Sequence, residues 1–404
     1  VVAGRLARSG ARLVFDYGRS YLARNDAIAI YEPELPLRAG ALPLPSGLSM
    51  PGSIRDAAPD AWGRRVIIHR LQGRRSRDVD TAELDELTYL LESGSDRAGA
   101  LDFQESATVY VPRESPAASL RDLLNAASHV ERGMPLPPEL EQALFHGSSL
   151  GGARPKAMIT DKNTKYIAKF SAQGDVRNVV KAEFVAMRLA ALVGLDVAPV
   201  KLTRAAGKDV LLVERFDRAK ARDGWRRFAM VSGLTLLGLD EMMARYASYE
   251  DLAVIVRHRF AEPRQTLREL FGRIVFNILC GNTDDHARNH AAFWDGRALR
   301  LTPAYDICPQ PRAGGEASQA MLIAGDNRQS RVTVCLDACR TFQLSSRQAI
   351  AIVEHQVDVI RAQWERVCDE ARLTVVDRRD LWRRQVLNPF AFEGAPARLV
   401  RGLD

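Results

Sequence analysis

The strongest constraint on the fold is a change of pattern along the chain. Short β elements, turns and a few helices occupy roughly the first 228 residues, and helix follows helix in the remainder of the 404. A doubly wound sheet would keep strands and helices alternating to the end, so this order suits it less well than an α+β chain with a helical second half. Arg12–Tyr17 (RLVFDY) and Ala27–Tyr31 (AIAIY) read as strands, and helices are expected near Asp60–Leu71 and Leu84–Leu91. Gly94–Phe103 reads as loop and strand, Ser115–Ser119 as linker, and Leu120–His129 as a short helix. The prolines at 135, 137 and 138 mark a boundary.

Past that boundary comes a Gly-rich segment, Gly147–Lys156 (GSSLGGARPK), then a strand at Lys165–Phe170 (KYIAKF). Asn178–Val193 carries Val180, Phe184, Met187 and Ala191 on one helical face, with Gly194 where a C-terminal cap belongs. Asp209–Phe216 is another strand. Thr266 and Glu269 have capping-box spacing ahead of Leu267, Leu270, Ile274 and Ile278. Ile350 to Val367 repeats apolar residues at three and four, as a long amphipathic helix does. Three parts follow: a β-rich module over 1–135, a glycine-loop, lysine-strand and hinge region over 136–228, and an all-helical lobe over 229–404. The architecture expected is a two-lobed, protein-kinase-like α+β fold.

Composition narrows the function classes. No run approaches the roughly 18 apolar residues that span a bilayer, and no signal-peptide pattern opens the chain, so the expected place is the cytoplasm without a membrane partner. Five cysteines form no CxxC pair, which leaves free thiols rather than a disulfide framework or a zinc site. The formal charge of +7 permits contact with nucleic acid without requiring it. The densest basic stretch, Arg64–Arg77, has no interleaved aromatics and reads equally well as a solvated helix face.

Phosphoryl transfer needs a phosphate cover, a lysine on the phosphates, a metal held by oxygen ligands, and a base beside the nucleophile. Gly147, Gly151 and Gly152 supply a loop whose amides can approach phosphates, although such turns are common and no Walker A loop is present. Lys169 lies on the following strand, and Glu183 on the next helix is its candidate partner. The specific signal is Gly281–His290 (GNTDDHARNH). Asp284 and Asn289 stand five apart, the separation of base and metal ligand in kinase catalytic loops. Asp306, in Leu301–Ile307 (LTPAYDI), stands where a second magnesium ligand belongs. Asp285 is the rival base, but Asp284 has the right spacing. No HExxH and no GxSxG elbow is present.

The segments SLGGARPK, YIAKF, VERFDR, NTDDHARN and LTPAYDI, in this order, resemble the HipA family of bacterial toxin kinases, and RLVFDYGRSYLA resembles that family's N-terminal β module. The resemblance implies an ATP- and Mg2+-dependent serine/threonine protein kinase. Asp284 would be the base, Asn289 and Asp306 the metal ligands, and Lys169 and His286 phosphate contacts. Ser149, Gly151, Gly152, Ala153 and Lys156 would cover the nucleotide. Glu214 and Phe216 would offer backbone groups to adenine, Asp217 would reach the ribose, and Ser149 would be autophosphorylated. It also implies a small helix-turn-helix antitoxin of the HipB kind, operator DNA met through that antitoxin, and a protein substrate such as an aminoacyl-tRNA synthetase. Two departures stand out: Asp285, where the family often has glycine, and Arg154-Pro155, where it often has Gln-Glu. On the resemblance alone, Asp285→Gly should be tolerated. The alternatives are a small-molecule kinase of the aminoglycoside or choline type and a non-catalytic corepressor.

Overall fold

The computed structural model describes residues 1–45, 47–74, 84–113, 118–137, 140, 148–149, 152–175, 177–312 and 314–400. Gly147 and Gly151, the linker residues 115–117 and the end of the basic stretch at 75–77 lie outside these. The chain forms two compact units. One comprises Val1–Val176 with Lys201–Val231; the other comprises Arg177–Val200 with Ser232–Asp404. The division thus joins the N-terminal module to the glycine-loop strands and assigns the helix after Lys169 to the helical unit. Among the described residues no helix is long and apolar enough to cross a membrane.

In the first unit, strands β1 (Gly4–Ser9) and β2 (Arg12–Tyr17) pair antiparallel. Leu13, Phe15 and Tyr17 alternate inward onto Leu35, Leu42, Met50, Ile54 and Leu90. Ala27–Tyr31 is not a strand. The Tyr17 hydroxyl accepts from the Ile30 amide at 2.8 Å, and the Tyr21 hydroxyl donates to the Ile28 carbonyl at 2.8 Å. Side chains therefore satisfy backbone groups that a strand partner would otherwise need. Gly94–Phe103 likewise carries no strand.

A four-stranded antiparallel sheet forms the rest of this unit. It contains β3 (Lys156–Asp161), β4 (Thr164–Phe170), β5 (Val200–Ala205) and β6 (Lys208–Glu214), in the order β3-β4-β6-β5. Tyr166, Ala168 and Phe170 of β4 are buried, and Lys165, Ile167 and Lys169 occupy its other face. The buried face packs on helices α1 (Ala61–Arg74) and α2 (Leu120–Arg132) through Trp62, Val66, Leu123, Leu124, Ala127 and Val130. Trp62 also donates its indole N–H to the Lys156 carbonyl at 2.9 Å. A hairpin of β7 (Arg218–Ala221) and β8 (Gly224–Arg227) follows.

The second unit is mainly helical, with one small hairpin of β9 (Ala291–Trp294) and β10 (Leu299–Leu301). Helix α3 (Val179–Leu192) is capped by Asn178, whose side chain accepts from the Lys181 amide, and Gly194 follows at φ 88°. Helix α4 (Tyr249–Arg259) begins on Ser248, whose hydroxyl accepts from the amides of Glu250 and Asp251. Helix α5 (Pro263–Cys280) does not use Thr266 as its cap. It starts three residues earlier, with Pro263 in its first turn, and Thr266 is a buried residue of the helix interior. From Leu270 to Cys280 every residue of α5 is buried, and burial on all sides makes it the core helix of the unit. The long helix α6 (Ser346–Glu370) has the expected amphipathic face and opens on a Ser345–Gln348 capping box.

Candidate active site

The loop that carries Asp284 begins where α5 must stop. Gly281 ends the helix at φ 77°, and a Cβ there would lie 2.7 Å from the Gln385 carbonyl oxygen. Both the backbone conformation and the space call for glycine. The next residues turn tightly. The His286 amide donates to the Asp284 carbonyl at 2.9 Å, and a single 3-10 turn covers Ala287–Asn289. Asn289 Nδ2 donates to the same Asp284 carbonyl at 3.1 Å. Asp284 is exposed, while Asn289 is 8% exposed. The turn thus closes the five-residue spacing into a contact between the candidate base and the candidate metal ligand.

Asp306 is held near this loop by its neighbour. The Tyr305 hydroxyl donates to the Arg288 carbonyl at 2.7 Å, so the residue before Asp306 is tied to the residue before Asn289. Asp306 itself has φ 60°, a left-handed conformation that most non-glycine residues avoid and Asp tolerates. The Asn289 side-chain oxygen and the Asp306 carboxylate are hard donors of the kind magnesium prefers. Two such ligands suffice for an ion that keeps waters and phosphate oxygens. Among the described residues no cluster of three His, Cys, Asp or Glu residues points to a softer or fully caged metal.

Asp285 proves to be a different kind of residue from its neighbour. It is 3% exposed and receives the Tyr249 hydroxyl, Asn277 Nδ2 at 2.7 Å and His290 Nε2 at 3.0 Å. Three buried groups converge on this carboxylate, which argues against the expectation that glycine would be tolerated here. No sequence signal separated the two aspartates in this respect.

In the first unit, Lys169 of β4 is the register partner of Lys156 of β3. Cross-strand partners share a face, so the two ammonium-bearing side chains leave the sheet on the same side. Gly152 approaches the same place: a Cβ on it would collide with Lys156 Nζ. Gly152 has φ 91°, donates its amide to Asp60 Oδ2 at 2.7 Å, and accepts from the Trp62 amide at 3.0 Å. The start of α1 therefore fixes the end of the glycine loop. Ala153 follows in a bend and is exposed.

Ser149 is 2% exposed, and its Oγ donates to the Asp96 carbonyl at 2.8 Å; Ser148 Oγ accepts from the Gly94 amide at 3.1 Å. Both loop serines are packed on the Gly94–Asp96 segment. Sequence reading placed Ser149 over the nucleotide phosphates, and in this conformation it faces the module instead.

Glu214, at the end of β6, and Phe216 are both half-buried on the segment that leads into the β7–β8 hairpin. Asp217 departs from expectation. Its carboxylate is 7% exposed and accepts from Arg215, from Arg218 and from the Gly99 amide at 2.9 Å. It is committed to an internal ion cluster rather than open to a ribose. Burial alone would raise the Asp217 carboxyl, but Arg215 and Arg218 overcome it and hold it below the ordinary range. The same balance acts on Asp96, which Arg215, Arg218 and Lys165 surround. Burial in turn brings the Arg218 guanidinium down to about 10. The five cysteines are all buried, and burial raises the Cys280 thiol to about 12, which leaves it protonated and inert near neutral pH.

Comparison with known proteins adds an independent line. Residues 148–364 match the HipA-like C-terminal domain model, and residues 1–104 match the HipA N-terminal domain model. A Sinorhizobium fredii protein that is a candidate kinase by name is 29% identical over 181 residues, which is 43% of each chain. The Shewanella oneidensis serine/threonine-protein kinase toxin HipA is 24% identical over 244 residues, 53% of this chain and 54% of that protein. The chain thus spans about half the length of the curated relatives it matches. A solved Shewanella oneidensis complex of HipA, HipB and operator DNA contains a chain of similar fold. Its TM-score is 0.66 at 18% identity, covering 99% of this chain and 95% of that one.

Proposed function

Because the chain belongs to the HipA family, its C-terminal domain model covering more than half of the sequence, we propose that it is an ATP- and magnesium-dependent serine/threonine protein kinase. The observation that carries this reading is the loop contact between Asn289 and the Asp284 carbonyl. It ties the residue proposed as base to the residue proposed as metal ligand, and the bond from Tyr305 to Arg288 supports a nearby place for Asp306. Asp284 accepts the proton of the substrate hydroxyl. Asn289 and Asp306 would hold the metal, whose contribution is to neutralise charge on the phosphates. Lys169, Lys156 and the glycine-loop residues Gly151, Gly152 and Ala153 bind the phosphates, and the Gly152 amide must exchange Asp60 for a phosphate oxygen to take part. His286 adds a further polar contact, and the backbone of Glu214 and Phe216 faces the base. Asp217 takes no part in this assignment, because its oxygens are occupied.

The substrate is a protein hydroxyl, with an aminoacyl-tRNA synthetase as the family-based choice, and the place of action is the cytoplasm. The partner is a small helix-turn-helix antitoxin of the HipB kind, which brings operator DNA with it. The Shewanella oneidensis complex of HipA with HipB and operator DNA supports this pairing. Ser149 is the autophosphorylation site, and its packing on Asp96 means that the loop must leave that contact before its hydroxyl can react. A phosphate adds about −1.5 to −2 charge and prevents return to a site against a carbonyl oxygen, so the modified loop is shut out and ATP binding falls. Incubation with ATP and magnesium, followed by mass spectrometry, tests the reading. Phosphate should appear on Ser149 in the unmodified chain, be absent from Ser149→Ala and Asp284→Ala, and persist in Ser148→Ala. No labelling and no ATP turnover in the unmodified chain would overturn the proposal.

A further inference from the structure

Asp285 is a buried carboxylate with no lysine or arginine paired to it among the described residues. Its one ion-pair contact is His290 Nε2 at 3.0 Å. Burying an anion without a cation is costly unless donors replace the lost water. Here the donors come from three directions. Tyr249 is the first residue of α4, Asn277 lies on the core helix α5, and His290 ends the loop itself. Asn282 Nδ2 donates to Asn277 Oδ1 at 2.9 Å, which settles which end of the Asn277 amide faces Asp285. The Tyr249 ring also meets the His290 ring edge-on, with centroids 5.4 Å apart. Around this one carboxylate the loop is closed on itself, from residue 285 to residue 290, and bolted to two helices.

We infer that Asp285, with Tyr249 and His290, is a positioning residue for the base. Its inward anchoring fixes the backbone so that Asp284 points outward at a set height and angle. The inference rests on the reading of Asp284 as the base. The geometric reason is the reversal of side-chain direction between adjacent residues here: Asp285 is pulled into the core by three donors, and Asp284, one residue before, is exposed. The Asp284 carbonyl also receives the His286 backbone amide and the Asn289 side-chain amide, so the peptide that joins Asp284 to Asp285 is held as well. Loosening the inner anchor lets the carboxylate of Asp284 wander. An error of about 1 Å in the placement of a catalytic group costs up to about a hundredfold in rate.

The test measures ADP formation from ATP and magnesium by the full chain. Unmodified protein, Asp284→Ala, Tyr249→Phe, Asp285→Asn and Asp285→Ala are compared, with thermal unfolding of each. Tyr249→Phe keeps the ring on His290 and removes only the hydroxyl, so it should fold and lose about tenfold in kcat, with KM for ATP within about twofold. Asp285→Ala should lose about a hundredfold, and Asp285→Asn, which keeps an acceptor oxygen for Tyr249 and Asn277, should regain most of that loss. Folded Tyr249→Phe with unchanged kcat would overturn the inference, as would a loss confined to KM or one that Asn fails to restore. Absence of turnover in the unmodified chain would be a different result and would remove the kinase reading along with it.

Discussion

The Tyr305 hydroxyl reaches the Arg288 carbonyl at 2.7 Å, and with that one bond the two candidate metal ligands, Asp306 and Asn289, are coupled through their immediate predecessors. A local motif and a segment seventeen residues downstream are thereby joined into one piece of machinery. Each part of that machinery makes a separate prediction.

Asp284→Ala should abolish phosphoryl transfer and leave the fold unchanged, because the side chain is exposed. General-base loss typically costs about 10²–10⁴-fold. ATP-dependent labelling and circular dichroism of the same preparation check both halves.

Asn289→Ala and Asp306→Asn should both weaken magnesium-dependent ATP binding. Asp306→Asn keeps a residue that tolerates the left-handed φ of 60°, so its effect reports the lost charge rather than backbone strain. Asn289→Ala also removes one of the two donors to the Asp284 carbonyl and should lower turnover further. Calorimetry with ATP, with and without magnesium, measures the first effect, and an undiminished magnesium enhancement would refute the ligand roles.

Asp285→Gly should be destabilising. The Asn277 side-chain amide would lose its acceptor, and the Tyr249 hydroxyl would keep only its contact with His290 Nε2 at 3.1 Å. Each such group costs about 1–3 kcal/mol, so a total of about 3 kcal/mol is expected in urea denaturation.

Gly152→Ala should lower nucleotide affinity. The φ of 91° penalises any Cβ by about 1 kcal/mol, and the new methyl would push away the Lys156 ammonium that now occupies that space. Comparison of thermal stability with ATP affinity separates the small backbone cost from the larger loss of binding.

The first unit should be labile to acid. Asp96 and Asp217 titrate below their ordinary value of 3.8 in the folded chain. A depressed carboxylate contributes stability that is complete above its unfolded pKa and is lost as pH falls through the folded one. Stability should therefore decline below about pH 4. Asp217→Ala, which leaves Arg215 and Arg218 to share the Asp96 carboxylate, should cost about 3 kcal/mol at neutral pH and blunt the acid transition. Denaturation followed from pH 7 down to pH 2 gives both results.

The sequence by itself determined what depends on near neighbours. Lys165–Phe170 reads as a strand that carries Lys169, and β4 spans Thr164–Phe170. The apolar spacing of Ile350–Val367 gave α6, and the five-residue separation of Asp284 and Asn289 became one turn. What only the tertiary structure decided depends on groups distant in sequence. Ala27–Tyr31 has strand composition, but Tyr17 and Tyr21 occupy its backbone groups. Asp217 stands in a hinge motif, but segment 96–99 and Arg218 consume its charge. Asp284 and Asp285 are chemically identical neighbours. One is exposed and the other buried because Tyr249 and Asn277, from two helices, supply donors to only one of them. A residue's type and local spacing fix which chemistry it can perform. The partners that packing brings to it fix whether it is free to perform it.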